Sequence, residues 1–216
     1  FSMIPMNLMT NFKKADFINT GEWSKKAAQE AKRFGEVRIV ASSEDKNFSY
    51  IPTFSAKDFS DDADYIHYVS NNTIFGTRLV DFPDVKVKVL VCDMSSDILS
   101  KPIDVSKYGL IFAGAQKNMG IAGLCVVIIR DDFLGKASNL PPMLDFKVQA
   151  DNASMYNTPS CFSIYVAGEV FKWLLELGGL TEMQKRNEAK AKLLYDYLDS
   201  STFFAPTIHD PKDRSI

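Results

Sequence analysis

The stretch Val-Lys-Val-Lys-Val-Leu-Val-Cys-Asp-Met-Ser-Ser-Asp, residues 85–97, decides the fold. It opens with apolar residues in alternation, becomes continuously apolar, and ends on a carboxylate and two serines. Alternation is the strand period, and an unbroken apolar run suits a strand covered on both faces. The reading is therefore a strand over 85–92 with a polar loop behind it. The same sentence recurs twice. Residues 64–69 run into Ser70-Asn71-Asn72-Thr73, and residues 110–113 run into Gly114-Ala115-Gln116-Lys117-Asn118-Met119-Gly120. Residues 37–41 read as another short strand, and 124–130 as the strongest candidate for a buried one.

Helical patterns lie between and after these runs. Trp23, Ala27, Ala31 and Phe34 share one face, and Gly35 follows as a stop. Residues 162–177 carry Ile164, Phe171, Trp173, Leu174 and Leu177 and close on Gly178-Gly179. Thr181-x-x-Gln184 has the pattern of a capping box, which predicts a second helix running to about residue 198. Residues 136–158 form the longest irregular stretch, rich in Pro, Asn and Asp, and loops of that length in a compact domain commonly serve function or an interface. Strands alternating with helices predict an α/β fold: three layers, with a mostly parallel, mixed sheet flanked by helices. In such sheets ligands bind beyond the carboxyl ends of the strands.

Composition narrows the function classes. The 216 residues carry 25 Lys+Arg against 27 Asp+Glu, a formal net charge of −2, which excludes a basic nucleic-acid footprint spread over the whole chain. No apolar run approaches the roughly 18–20 residues needed to cross a bilayer. The N-terminus lacks a basic segment followed by an apolar core, so no signal peptide is expected. Cys92, Cys125 and Cys161 sit in or beside apolar segments without CxxC spacing, which predicts buried thiols in a reducing, cytoplasmic compartment. His67 and His209 are the only histidines and lack helical partners at ligand spacing, so no metal is expected. The chain starts without Met and stops just after a loop-like 206–213, and so reads as a fragment or a chain with flanks. There is no GxGxxG after a strand, no GxxxxGK[ST] and no GxSxG.

The chemistry is concentrated in the post-strand loops. If the strands at 64–69, 85–92 and 110–113 are parallel neighbours, Thr73, Asp93 and Lys117 converge at one edge of the sheet. Asp93 would sit at the rim of a desolvated core and need a cationic partner, although taken alone it reads more simply as a turn or N-cap residue before Ser95 and Ser96. Lys117 lies among Gly114, Ala115, Gly120, Ala122 and Gly123, whose small side chains leave room for a bulky planar group. A lysine in a partly desolvated site can attack a carbonyl and form a Schiff base, although most lysines are simply solvated. Together, a Schiff-base lysine and an aspartate for a pyridinium nitrogen are what pyridoxal phosphate requires. Trp23 could stack on such a ring or be ordinary core.

These residues carry a family resemblance. Gly21-Glu22-Trp23-Ser24, Asp93-Met94-Ser95-Ser96-Asp97-Ile98-Leu99-Ser100, Lys101-Pro102-Ile103-Asp104-Val105-Ser106-Lys107, Gly114-Ala115-Gln116-Lys117-Asn118 and Tyr156-Asn157-Thr158-Pro159 occur in order along the chain, which resembles the phosphoserine aminotransferases, class-V enzymes of the aspartate-aminotransferase fold. The resemblance implies pyridoxal 5'-phosphate as cofactor, held on Lys117, with Asp93 on its ring nitrogen, Trp23 stacked on its ring, Thr73 at its phenolic oxygen and Gln116 at its phosphate. Asn157 and Thr158 would reach the cofactor phosphate of a partner subunit, which implies a homodimer. The implied reaction moves an amino group between glutamate and 3-phosphohydroxypyruvate to give O-phosphoserine and 2-oxoglutarate, in serine biosynthesis. Residues 1–200 would be the cofactor-binding large domain with its N-terminal part missing, and 201–216 the start of the small domain. Two other readings remain: a same-fold lyase or desulfurase, against which the apolar setting of all three cysteines speaks, and a truncated, non-catalytic dimerising module.

Overall fold

A computed structural model describes residues 1–85 and 88–216. In chain order the elements are α1 (Met3–Leu8), β1 (Lys14–Asn19), α2 (Glu22–Ala31), β2 (Glu36–Ser42), β3 (Tyr65–Val69), the hairpin of β4 (Asn71–Asn72) and β5 (Thr77–Arg78), β6 (Leu90–Asp93), β7 (Leu110–Gly114), β8 (Cys125–Ile129), α3 (Phe146–Asp151), α4 (Cys161–Glu176) and α5 (Gly179–Ser200). Six strands form one sheet in the order β2-β1-β3-β6-β7-β8. The neighbours pair in parallel except β7 and β8, which are antiparallel. This is the mixed, mostly parallel sheet flanked by helices that the sequence predicts.

Successive residues of the central strands point to opposite faces, and both faces are buried. Ile66, Leu90, Cys92 and Ile111 join a cluster with Met94, Ile98 and Met119. Phe17, Tyr65, Val91 and Leu110 join a second cluster with Ala27, Ala28 and Ala31 of α2. Double-sided burial explains why 88–93 loses its alternation as it enters the sheet. The strand itself starts at Leu90, later than the sequence implies. Val85 is buried outside any strand, and Lys86 and Val87, part of the expected strand, lie outside the described residues.

Several expectations need correction. β1 was not anticipated: Asp16 interrupts its apolar run, yet this carboxylate is fully buried because Arg38 and Ser60 hydrogen-bond it. The run 124–130 is not the most buried strand but an edge, with Cys125 and Ile128 exposed. Its residues pack on both faces, Val126 against one core cluster and Val127 and Ile129 against the other, but its outer edge is open. The Thr181 capping box does not form. Gly178, in the left-handed region at φ +107°, launches α5 at Gly179, and Gln184 instead donates to Glu188. The irregular stretch 136–158 contains α3 and a single helical turn at Pro142–Leu144. Of the cysteines only Cys92 is buried, while Cys125 and Cys161 are exposed.

α4 leaves Phe162, Tyr165, Trp173 and Leu175 exposed and buries only Ser163, Ala167 and Leu174. Among the described residues no helix is long and apolar enough to cross a membrane. The last segment is tied back by a bidentate pair between Arg214 and Asp199, 2.7 Å at each contact, and by Ile51 N–H donating to Asp213 at 2.9 Å.

Candidate active site

The carboxyl ends of β3, β6 and β7, three neighbours in the sheet, present their loops along one edge. β6 ends on Asp93, a residue only 5 % exposed. The chain turns sharply there. Ser95 N–H donates to Asp93 Oδ1 at 2.9 Å, the local turn to which aspartate is suited, and Met94 N–H donates to the Phe112 carbonyl at 2.9 Å. Burial pushes the Asp93 carboxyl up from its ordinary range. The Ser95 side chain, the Ser95 N–H and the charge of Lys117 oppose that rise. Asp97, Cys92 and Cys125 are the other titrating groups that sense Asp93. The turn reading and the buried-carboxylate reading of Asp93 are both correct, because one oxygen shapes the loop while the group faces a cleft.

Lys117 follows β7 on a tight turn in which Met119 and Gly120 both donate to the Ala115 carbonyl, at 3.2 and 2.8 Å. Buried Met119 anchors this turn from below, and Asn118 Nδ2 donates to the Ile98 carbonyl at 2.6 Å. Its Nζ donates to Thr73 Oγ1 at 3.1 Å and lies 5.4 Å from the Trp23 ring centroid. Within this chain Lys117 is exposed, so the partial desolvation expected for it is not met by these residues alone. Thr73 stands at the hairpin turn between β4 and β5. The Asn72 side chain fixes that hairpin by donating to Thr20 and Thr77 at 3.1 and 3.2 Å. Trp23 lies in the first turn of α2, where Ser24 Oγ accepts from the N–H groups of Thr20 and Gly21 and so caps the helix start.

An open cleft of about 680 Å³ is lined by Trp23, Asn71, Asp93, Ser95, Gln116 and Lys117. Thr73 joins them through Lys117. Asn157 and Thr158 do not: both are exposed in the segment before α4, away from the cleft lining. Ser95, Asn71 and Cys125 line the cleft without having been singled out. Ser95 was legible, since a serine two residues after an aspartate is the partner such a turn uses. The Asn71 Oδ1 and Trp23 Nε1 atoms are buried in the cleft wall with no hydrogen-bond partner among the described residues. Among the described residues no cluster of His, Cys, Asp and Glu is placed to hold a metal.

A primary amine, a buried carboxylate and an indole face around one cleft suit a flat heteroaromatic ring carrying a carbonyl: the amine can bond the carbonyl carbon, and the carboxylate can hold a ring N–H. The aminotransferase class-V family is matched by residues 1–215, and the chain belongs to that family. Within it, the chain is 55 % identical to the phosphoserine aminotransferase of Listeria monocytogenes over its whole length, covering 59 % of that relative, and 53 % identical to that of Desulfosudis oleivorans, covering 60 %. The solved phosphoserine aminotransferase from Bacillus circulans subsp. alkalophilus superposes with a TM-score of 0.94 at 43 % identity over 99 % of this chain and 60 % of that one. A PLP-bound phosphoserine aminotransferase from Trichomonas vaginalis gives 0.91 at 41 %, with the same coverage. The chain thus spans about three-fifths of the length of these relatives.

Proposed function

We propose that the chain is the cofactor-binding part of a phosphoserine aminotransferase that takes pyridoxal 5'-phosphate and moves an amino group between glutamate and 3-phosphohydroxypyruvate, giving O-phosphoserine and 2-oxoglutarate in serine biosynthesis. The observation that carries it is the meeting of Lys117, Thr73 and Trp23 beside Asp93 in one cleft of a class-V aminotransferase.

The residues present fit that cofactor. Lys117 would hold its carbonyl carbon and Trp23 would cover one ring face. Thr73 would bond its phenolic oxygen, and Gln116, exposed at the cleft rim, its phosphate. When bound, the cofactor supplies an electron sink that stabilises negative charge at the substrate Cα. Asp93 would pair with the ring nitrogen and hold a proton there, which would keep that sink effective. Its burial makes a bare carboxylate costly, so a cationic ring N–H is the partner the site asks for. The Lys117 amine, when free, would be the base that takes up and gives back the substrate Cα proton. Thr73, already accepting a hydrogen bond from Nζ, would orient that amine.

Asn157 and Thr158, exposed and outside their own cleft, are assigned to the cofactor phosphate of a second copy, so the working unit is a cytoplasmic homodimer. Residues 1–200 form its large domain and 201–216 open the small one. The desulfurase reading loses one argument and keeps another against it. Cys125 is exposed and lines the cleft, but the protein around its sulfur pushes its thiol up, away from the thiolate a nucleophile needs.

The test is borohydride reduction of the intact protein mixed with pyridoxal phosphate, followed by peptide mass mapping. The expected product is a pyridoxyl group on Lys117, lost in Lys117→Ala, with turnover of phosphoserine plus 2-oxoglutarate but not of cysteine. An adduct on another lysine, or turnover of cysteine instead, would overturn the proposal.

A further inference from the structure

Lys117 and Asp93 follow long-paired strands of the main sheet, but Thr73 has a slighter mount. It stands at the turn of the β4–β5 hairpin, whose only ladder pairs are Asn71 with Arg78 and Asn72 with Thr77. A two-stranded hairpin is marginally stable in water by itself. The Asn72 amide ties one side of it to Thr20. Residues 214 and 215 hold the other side. Arg214 pairs with Thr77 in an antiparallel bridge, and Ser215 N–H donates to the Gly76 carbonyl at 2.8 Å.

The Arg214 side chain fastens those two residues to α5. It is only 7 % exposed. Its two terminal nitrogens donate to the two Asp199 oxygens at 2.7 Å each, and its Nε donates to the Ile208 carbonyl at 3.0 Å. The guanidinium lies 4.8 Å from the Tyr195 ring centroid, and the Tyr195 hydroxyl donates to the Ser215 carbonyl at 2.7 Å. Asp199 and Tyr195 stand one turn apart on α5. A planar fork held at three points has one orientation, so the backbone that carries it has one place against the helix.

We propose that Arg214 is a positioning residue, whose bonds to Asp199 and Ile208 clamp the β4–β5 hairpin against α5 and so hold Thr73 where Lys117 Nζ reaches it. This role rests on the assignment of Thr73 and Lys117 to the cofactor. Without the guanidinium the outer edge of the hairpin keeps only the backbone contacts of residues 214 and 215, and Thr73 leaves Lys117 more often. Arg214→Ala should still fold, because the Asp199 side chain it abandons is 47 % exposed and can be met by water.

Two readouts test this in the intact protein. The first, without cofactor, is the nuclear Overhauser contact between the Thr73 methyl and the Lys117 side chain, identified by its absence in Thr73→Val and in Lys117→Ala. Contacts between the Ile66 and Ile111 methyls and their neighbours in the core serve as the reference. The second readout is affinity for pyridoxal phosphate by equilibrium dialysis. Arg214→Ala should lose the Thr73 contact and keep the core contacts. It should weaken binding about ten-fold, the worth of one hydrogen bond, and Thr73→Val should do the same. Because both act through one hydroxyl, the double variant should bind like the weaker single one. A persisting Thr73 contact, loss of the core contacts as well, or binding losses that add would overturn the proposal. So would parent-like binding by Arg214→Ala where Thr73→Val is weakened. If Arg214→Ala does not fold, Asp199→Asn, which keeps the Tyr195 contact, is read by the same criteria. If the Thr73 contact alone is lost but Thr73→Val binds pyridoxal phosphate like the parent, the clamp stands and the assignment of Thr73 to the cofactor falls.

Discussion

Gly114→Ala is a small change that should damage binding without damaging the fold. Gly114 ends β7, and its N–H is held by Ser95. A Cβ added there would lie 2.6 Å from Gln116 Oε1, 3.0 Å from Nε2 and 3.2 Å from Cδ, all inside the 3.4 Å at which ordinary contact begins. Each of these atoms belongs to the end of one exposed side chain, so the glutamine can swing away. The stability cost should therefore stay under about 1 kcal/mol. The swing removes the Gln116 amide from the place where it would meet the cofactor phosphate. A hydrogen bond to a charged group is worth about 1.5–3 kcal/mol, which is roughly a ten- to hundred-fold loss of affinity for pyridoxal phosphate. Equilibrium dialysis measures the loss, and urea unfolding checks the fold. Because both changes act through one amide, Gly114→Ala and Gln116→Ala should not add: the double variant should bind like the weaker single one. Parent-like binding by Gly114→Ala, or losses that sum, would refute the reasoning.

Two predictions concern the scaffold. Asp16 is fully buried and accepts from Arg38 at 3.0 and 2.9 Å and from Ser60, and these bonds hold its carboxyl below the ordinary range despite its burial. Its contribution is complete above the unfolded carboxyl value and fades as pH falls through the lower folded one. Asp16→Asn should therefore cost about 2 kcal/mol in urea unfolding at neutral pH, a figure kept modest because the Arg38 side chain is 41 % exposed and can rehydrate. The gap should narrow toward pH 3, and an equal gap at both pH values would contradict the pairing. At Gly35 an added Cβ would fall 2.1 Å from the Lys13 backbone oxygen, which no side-chain motion relieves. Gly35→Ala should lower stability by about 3 kcal/mol or more, opening the start of the β1–β2 pairing where Glu36 N–H donates to the Lys13 carbonyl, and a thermal midpoint within a degree or two of the parent would contradict this.

The legibility of the sequence differed from element to element. The three strand-to-loop junctions were readable because double-sided burial writes an uninterrupted apolar run and the sheet edge writes an abrupt polar one. β1 was hidden because Asp16 is solvated by a partner 22 residues away, which no local pattern records. β8 was misjudged because an apolar run does not say whether a strand has neighbours on both sides, and β8, last in the sheet, pairs with β7 on one side and is open on the other. The Thr181 box failed because Gly178 had already started the helix. At the site, Lys117, Asp93, Thr73 and Trp23 were placed by their positions after strands and at a helix start. The Asn157 and Thr158 assignments came from resemblance alone, and within one chain nothing brings them to the cleft.

The sheet order has a consequence for how the site withstands change. Asp93 and Lys117 follow β6 and β7, and Thr73 follows β3 by way of the β4–β5 hairpin; the separations of these strands are repeats of one hydrogen-bond ladder, about 4.8 Å per strand. That spacing is a property of peptide groups and is indifferent to side-chain identity. Substitutions on the outer helices can reshape the surface without stretching the site, because the scale on which it is laid out belongs to the backbone. The loops supply the chemistry and the ladder supplies the measure, so drift in one need not disturb the other.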